Sequence, residues 1–192
     1  MRGVTLPEML VAGALMLVVL SGLTWLLLLS YRYQRSLALS LELQETTLTA
    51  VAALSREVSE SNPASLRSEA SPVGIVFGSP RDLAGRLRTN DQGRLMWHKY
   101  VCIYVAYLNG VACLCRREEL LPAPQDSPPV LPPDKTVAYF VGQSTPVTVL
   151  ARRVDLFEVT GSSPAKFRLA VAARLYDQDY RVETQIDVLP RN

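Results

Sequence analysis

The sequence predicts an α+β protein: one long N-terminal helix followed by a domain of antiparallel strands. Three observations carry that reading. An uncharged run from Met9 to Leu29, MLVAGALMLVVLSGLTWLLLL, leads into a stretch from Ser36 to about Ser59 that has neither Gly nor Pro. There Leu37, Leu41, Leu48, Val51 and Val58 fall at helical spacings, with Leu39, Leu43 and Leu54 widening the stripe. From Val73 onward, short β-rich runs alternate with turn residues, and Asn109-Gly110 between two apolar runs is a strong two-residue hairpin signal. The expected division is a membrane and assembly helix over 4–30, its amphipathic continuation over 31–60, and a β domain over 61–192.

At about 1.5 Å per residue, Met9–Leu29 spans roughly 30 Å, the thickness of a bilayer's hydrocarbon core. A cleavable secretory signal fits poorly, because the basic leader is short and Leu26–Arg32 offers no small-x-small site. The segment is therefore expected to stay in the mature chain. Glu8 stands at its edge, where an ionisable group is costly and usually functional. Thr5-x-x-Glu8 also fits a capping box, in which the Thr5 hydroxyl takes one free N–H and Glu8 reaches back to another. Pro7 suits the first turn, where its missing N–H is not needed.

At these residues the chain resembles a family. Gly3 followed by Val4-Thr5-Leu6-Pro7-Glu8 and an apolar helix is similar to the type IV prepilin, or class III, signal. The resemblance implies that residues 1–3 are a leader, that a membrane prepilin peptidase cuts between Gly3 and Val4, and that the new amine of Val4 is methylated. Thr5 and Leu6 are the motif positions before Glu8. It further implies that Glu8 faces the positive N-terminus of a neighbouring subunit during filament assembly. Such a pairing is physically sensible, since each charge relieves the other's desolvation in a low-dielectric bundle. Val4 departs from the usual Phe or Met, and no Pro interrupts the apolar helix, where only Gly13 and Gly22 loosen it. The implied placement is a single pass through an inner membrane, N-terminus cytoplasmic and C-terminal domain periplasmic or exterior, before entry into a pilus or pseudopilus.

With 192 residues, 20% charged and 48% hydrophobic, the chain has room for one medium folded domain beyond the helix. Net charge is +2 and is unchanged without Arg2 and Glu8, so the exported part has no bulk bias toward nucleic acid or membrane. Cys102, Cys113 and Cys115 are an odd number for an oxidising compartment. The Asn109-Gly110 turn sets Leu108 against Val111, Ala106 against Cys113 and Tyr104 against Cys115. The thiols then share one hairpin face with none directly opposite another, and they read as small buried hydrophobes. A Cys-x-Cys pair without a second half gives no metal site.

Past the membrane run, Trp25, Tyr31 and Tyr33 read as interfacial aromatics, and Arg32 and Arg35 mark the exit to water. One helix is expected from about Thr5 to Glu60, stopped by Ser61-Asn62-Pro63 and packed on the sheet that follows. Val73–Phe77 reads as a strand, 81–93 as loop, and Met96–Leu108 with Val111–Arg116 as a central hairpin. The segment 121–134, with Pro122, Pro124, Pro128, Pro129, Pro132 and Pro133, reads as an extended surface loop, a stiff connector rather than a PxxP ligand. Val137–Val141 reads as a further strand. A meander follows: Val147–Thr160, a turn at Gly161–Pro164, an alternating strand from Phe167 to Leu175, a turn at Tyr176–Asp179, and a half-exposed strand through Val188. Leu150–Val159 and this meander, ending in Arg191-Asn192, are similar at the level of pattern to the minor pseudopilin J and minor pilin W group.

No catalytic constellation stands out, and no enzymatic activity or cofactor is expected. His98, the only histidine, sits at a strand start and reads as a surface or satisfied residue. There is no HExxH, Gly-rich phosphate loop or GxSxG. Asp177-x-Asp179 lacks a third acidic partner for Ca²⁺. The sequence thus points to a minor pilin or pseudopilin that helps start or cap a filament of a pilus or a type II secretion system. Its partners would be other pilins, the prepilin peptidase and membrane lipid. The alternative is a tip pilin that binds DNA during natural transformation. Arg86, Arg88, Arg94 and Lys99 would make the contacts, with Trp97 and Tyr100 interleaved as stacking groups.

Overall fold

A computed structural model describes residues 5–161 and 163–190; Gly3 and Val4, where the cut is expected, lie outside them. The chain divides into two compact units, which meet in sequence between Leu41 and Glu42. Helix α1, Leu6–Ser59, runs through both without a break.

In the first unit α1 is apolar all round from Met9 to Leu29, and every side chain from 5 to 35 is exposed. A helix of that kind belongs in lipid or in a bundle of its own kind, and this one is long and apolar enough to cross a membrane. Its hydroxyls are satisfied within the helix: Ser21 donates to the Val18 carbonyl and Thr24 to that of Leu20, both at 2.8 Å.

The second unit begins with the last turns of α1, which bury Leu43, Thr47, Ala50, Leu54, Glu57 and Val58. This corrects the expected stripe, since Leu41 and Leu48 remain 64% and 62% exposed. Leucines occur around the whole circumference, so apolarity alone does not choose a face. The inward face is the one whose middle is small, at Thr47 and Ala50. The stop is as expected: after Ser59, Asn62 Oδ1 accepts from the Ala64 N–H at 2.8 Å and opens a short 3₁₀ turn over Pro63–Ser65.

An antiparallel five-stranded sheet follows, ordered β1-β2-β3-β4-β5. Its strands are β1 (Arg67–Ala70), β2 (Val73–Ser79), β3 (Trp97–Leu108), β4 (Val111–Gln125) and β5 (Thr148–Arg152). The β3–β4 register is the one the Asn109-Gly110 turn dictates, with Tyr104 opposite Cys115 and Ala106 opposite Cys113. Asn109 and Gly110 take φ of 52° and 78°, as a type I′ turn requires. Gly74 is needed for close approach: a Cβ there would lie 2.8 Å from the Ile103 carbonyl oxygen and 2.9 Å from Val137 Cγ1.

Three other readings are corrected. Val137–Val141 is not a strand but lies in helix α2, Val137–Gly142. Thr136 caps it by accepting from the Tyr139 N–H, and burial of Val137 and Phe140 on one side outweighs the β preference of Val, Tyr and Phe. The proline segment is not wholly a surface loop. β4 runs on to Gln125, with Pro122 and Pro124 in the unpaired interval between Leu120 and Gln125, where a missing N–H costs nothing. Leu121 and Leu131 are buried with Trp97, Tyr100 and Phe140. Finally, Val147–Thr160 is two strands. Arg153, at φ 60°, ends β5 and starts β6 (Val154–Thr160) in a second sheet.

That second sheet is a meander, β6-β7-β8, with β7 at Ala165–Leu175 and β8 at Gln178–Val188. β6 runs near β1, β2 and β4. The expected turn tightens to Tyr176-Asp177, both at positive φ (49° and 60°), with Leu175 paired to Gln178.

Candidate functional site

At the head of α1, Glu8 Oε2 accepts two hydrogen bonds at 2.8 Å, from the Thr5 backbone N–H and from the Thr5 hydroxyl. Only the carboxylate arm of the expected capping box is therefore formed. The Thr5 hydroxyl donates to Glu8 instead of accepting an N–H. Glu8 is exposed, and its second oxygen has no hydrogen-bond partner among the described residues. Pro7, Val11, Ala12 and Leu15 make an apolar strip beside it. The result is a carboxylate at the mouth of an apolar helix with one oxygen engaged by the described residues. Such a group is suited to a cation delivered from outside the chain.

A second cluster, which sequence reasoning missed, ties the end of α1 to the sheet. Glu57, 8% exposed at its side chain, accepts from Arg116 Nε at 2.9 and 3.1 Å. Arg116 also meets Glu118 at 3.0 Å, and Glu118 accepts from Lys99 Nζ at 2.6 Å. Lys99 donates a further bond to the Asp82 carbonyl, and Arg81 grips Glu60 through both Nε and Nη2. The available signal was β4 alternation: Leu114, Arg116 and Glu118 face one way, Cys113, Cys115 and Arg117 the other. On that other side, Arg117 Nη1 donates to the carbonyls of Phe140, Val141 and Gln143 and so caps the C-terminus of α2.

Burial pushes the Glu118 carboxyl up, but the Lys99 ammonium and the Arg116 guanidinium more than offset it and hold it below the usual carboxylate range. The stability this gives is complete above the unfolded glutamate value of about 4.3 and is lost as pH falls through the lower folded value. We expect the urea midpoint to fall between pH 6 and pH 3, and Glu118→Gln to make that fall shallower. An identical slope in the variant would remove Glu118 from the account.

The DNA candidates separate. Arg86, Arg88 and Arg94 lie exposed on the 81–96 loop, which is braced by the bridges Arg81–Leu87 and Thr89–Leu95; Arg88 is paired with Asp82 at 3.0 Å. Lys99 is only 2% exposed and committed to Glu118, so its ammonium is not presented to a ligand. Trp97 and Tyr100 are core residues, so the stacking partners single-strand binding needs are turned inward.

All three cysteines are buried and free. Cys102 lies opposite Arg117 and Cys115 opposite Tyr104, so none faces another across the hairpin. Burial pushes the Cys102 thiol far up, and the Cys115 thiol up as well, which keeps both protonated and inert. His98 is half-buried, and its Nε2 has no hydrogen-bond partner among the described residues, so it is neither a free surface group nor a satisfied one. Asp177 and Asp179 are exposed beside Arg174. Among the described residues no three His, Cys, Asp or Glu side chains converge as a metal cage.

Comparison of the chain with protein-family models, with curated proteins and with solved structures found no match.

Proposed function

We propose that the chain is a minor structural subunit of a type IV pilus or type II secretion pseudopilus, without enzymatic activity, that helps start or cap the filament. The observation that carries this reading is Glu8. A carboxylate with one oxygen unpartnered among the described residues stands at the head of a helix whose run from Met9 to Leu29 is apolar and exposed on every side. In lipid, that oxygen calls for a cation, and the resemblance supplies one: the amine that a prepilin peptidase frees on Val4 of an adjacent subunit. The apolar helix first holds the precursor in the membrane. After cleavage behind Gly3, helices of several subunits bundle, and the Glu8–amine contact sets their axial register.

The test is the mass of the mature N-terminus, taken from membranes of cells with and without the peptidase. The expected result is a chain that begins at Val4 only when the peptidase is present. A chain that keeps Met1-Arg2-Gly3 in both would reduce Glu8 to a helix cap.

A further inference from the structure

Arg152 and Arg153, adjacent in sequence, line one cleft of about 580 Å³ in the second unit. Neighbours in a strand face opposite ways, so their sharing one cleft needs a cause. The cause is Arg153, which takes φ 60° where β5 passes into β6. That left-handed conformation is uncommon for a residue other than Gly, Asn or Asp. It is held by the Ala172 N–H, which donates to the Arg153 carbonyl at 2.9 Å. Residues kept in such conformations cluster where ligands are bound. The β4–β5 register also shifts here, between Leu114 and Cys115. The shift leaves Leu150 out of the ladder, and Leu150 lines the same cleft.

The polar groups at this cleft are without strong partners. Among the described residues the side chains of Arg152, Asn109 and Thr46 have neither a hydrogen bond nor an ion pair. Arg153 meets Glu42 at 3.6 Å, too far for a hydrogen bond, and the two side chains are 46% and 64% exposed. Its guanidinium donors are therefore still available. Two guanidiniums against one carboxylate leave the cleft cationic. Much of the remaining lining is aliphatic, with Leu43, Leu108 and Val149 beside Leu150. A cleft of this size, largely apolar with a few convergent polar groups, is the usual form of a small-ligand site.

We propose that the cleft binds the phosphoglycerol end of an anionic phospholipid. Arg152 and Arg153 take the phosphate oxygens, which the fork of a guanidinium matches. Glu42 repels the phosphate but accepts from the glycerol hydroxyls, which Asn109 and Thr46 also meet. The aliphatic lining takes the first methylenes of the acyl chains. A soluble sugar phosphate would leave that lining wet. A choline headgroup has no hydroxyl for Glu42 and sets a second cation beside the two guanidiniums. Such lipids are at hand, because α1 is long and apolar enough to cross a membrane. The proposal does not depend on the filament reading, since it uses only a membrane and residues of the second unit.

The test uses the full chain in micelles of a neutral detergent. The probe is phosphatidylglycerol with a photoreactive diazirine in the acyl chain next to the glycerol ester. After irradiation, labelled peptides are mapped by mass spectrometry. Label is expected on the segments 108–113 and 149–153 as well as on the apolar part of α1. The same diazirine on phosphatidylcholine should label α1 alone. Arg152→Gln combined with Arg153→Gln should lower the cleft label about tenfold and leave the label on α1 unchanged, which makes α1 an internal standard. Near-ultraviolet circular dichroism checks that the double variant is folded. Absence of label at both cleft segments, equal cleft label from the two lipids, or a folded double variant labelled as strongly as the parent would overturn the proposal.

Discussion

Glu8→Ala is expected to leave cleavage after Gly3 intact and to reduce incorporation into filaments by about tenfold or more. That is the range for an ion pair worth a few kcal/mol in an environment of low dielectric. The variant keeps the helix, because the bonds it loses are local ones to Thr5 at the first turn. Two measurements separate the roles: the mass of the mature N-terminus reports cleavage, and the amount of chain in sheared filaments reports assembly. Glu8→Gln sharpens the result, since the amide retains the shape and can still accept from Thr5 but cannot balance an amine. Incorporation of both variants at the level of the unmodified chain would count against the assembly role.

The second large effect is on stability. Arg116→Ala is expected to destabilise the folded chain by about 2–4 kcal/mol, because it takes the hydrogen-bonded partner from a buried carboxylate and leaves only the more distant Arg81 charge. The carboxylate is Glu57, 8% exposed at its side chain, whose hydrogen bonds among the described residues come from Arg116, with the Arg81 charge acting on it from farther off. Glu118 keeps Lys99 in the same variant, so the loss is specific to the joint between α1 and β4. Urea unfolding in detergent, followed by the fluorescence of Trp97 in a Trp25→Phe background, measures it. Pairing Arg116→Met with Glu57→Leu should recover most of the loss, since a packed apolar pair of similar volume needs no partner charges. A midpoint unmoved by Arg116→Ala would mean that water reaches Glu57.

How far such features were legible in the sequence depended on how local their causes are. The β3–β4 register followed from two residues, Asn109-Gly110, because a type I′ turn admits few alternatives. The stop of α1 followed from Asn62 and Pro63 in the same way. The face of α1 did not, because leucines surround it and only the sheet decides which of them are covered. Helix α2 was hidden for a related reason: Val137, Tyr139 and Phe140 prefer strands, and their burial is a property of the whole domain. At the candidate site, Glu8 was conspicuous as a charge beside an apolar run. The Glu57–Arg116–Glu118–Lys99 chain was not, since its members are far apart in sequence and each resembles an ordinary surface charge. For the same reason Lys99 was grouped with the loop arginines Arg86, Arg88 and Arg94, although the strand turns it inward.

The three sealed thiols bear on how the domain must acquire its structure. In the oxidising compartment that the prepilin resemblance implies, an unfolded chain would offer Cys102, Cys113 and Cys115 to every oxidant, and none of the possible bridges belongs to the folded form. Folding there would be a race, in which the β3–β4 hairpin has to close and be covered by Leu131, Val137 and Phe140 before a wrong bridge forms. Its sequence suits that task, since the closing turn brings together neighbouring residues and hairpins form within microseconds, far ahead of disulfide exchange. Once closed, the domain needs neither an oxidase to complete it nor a reductant to maintain it.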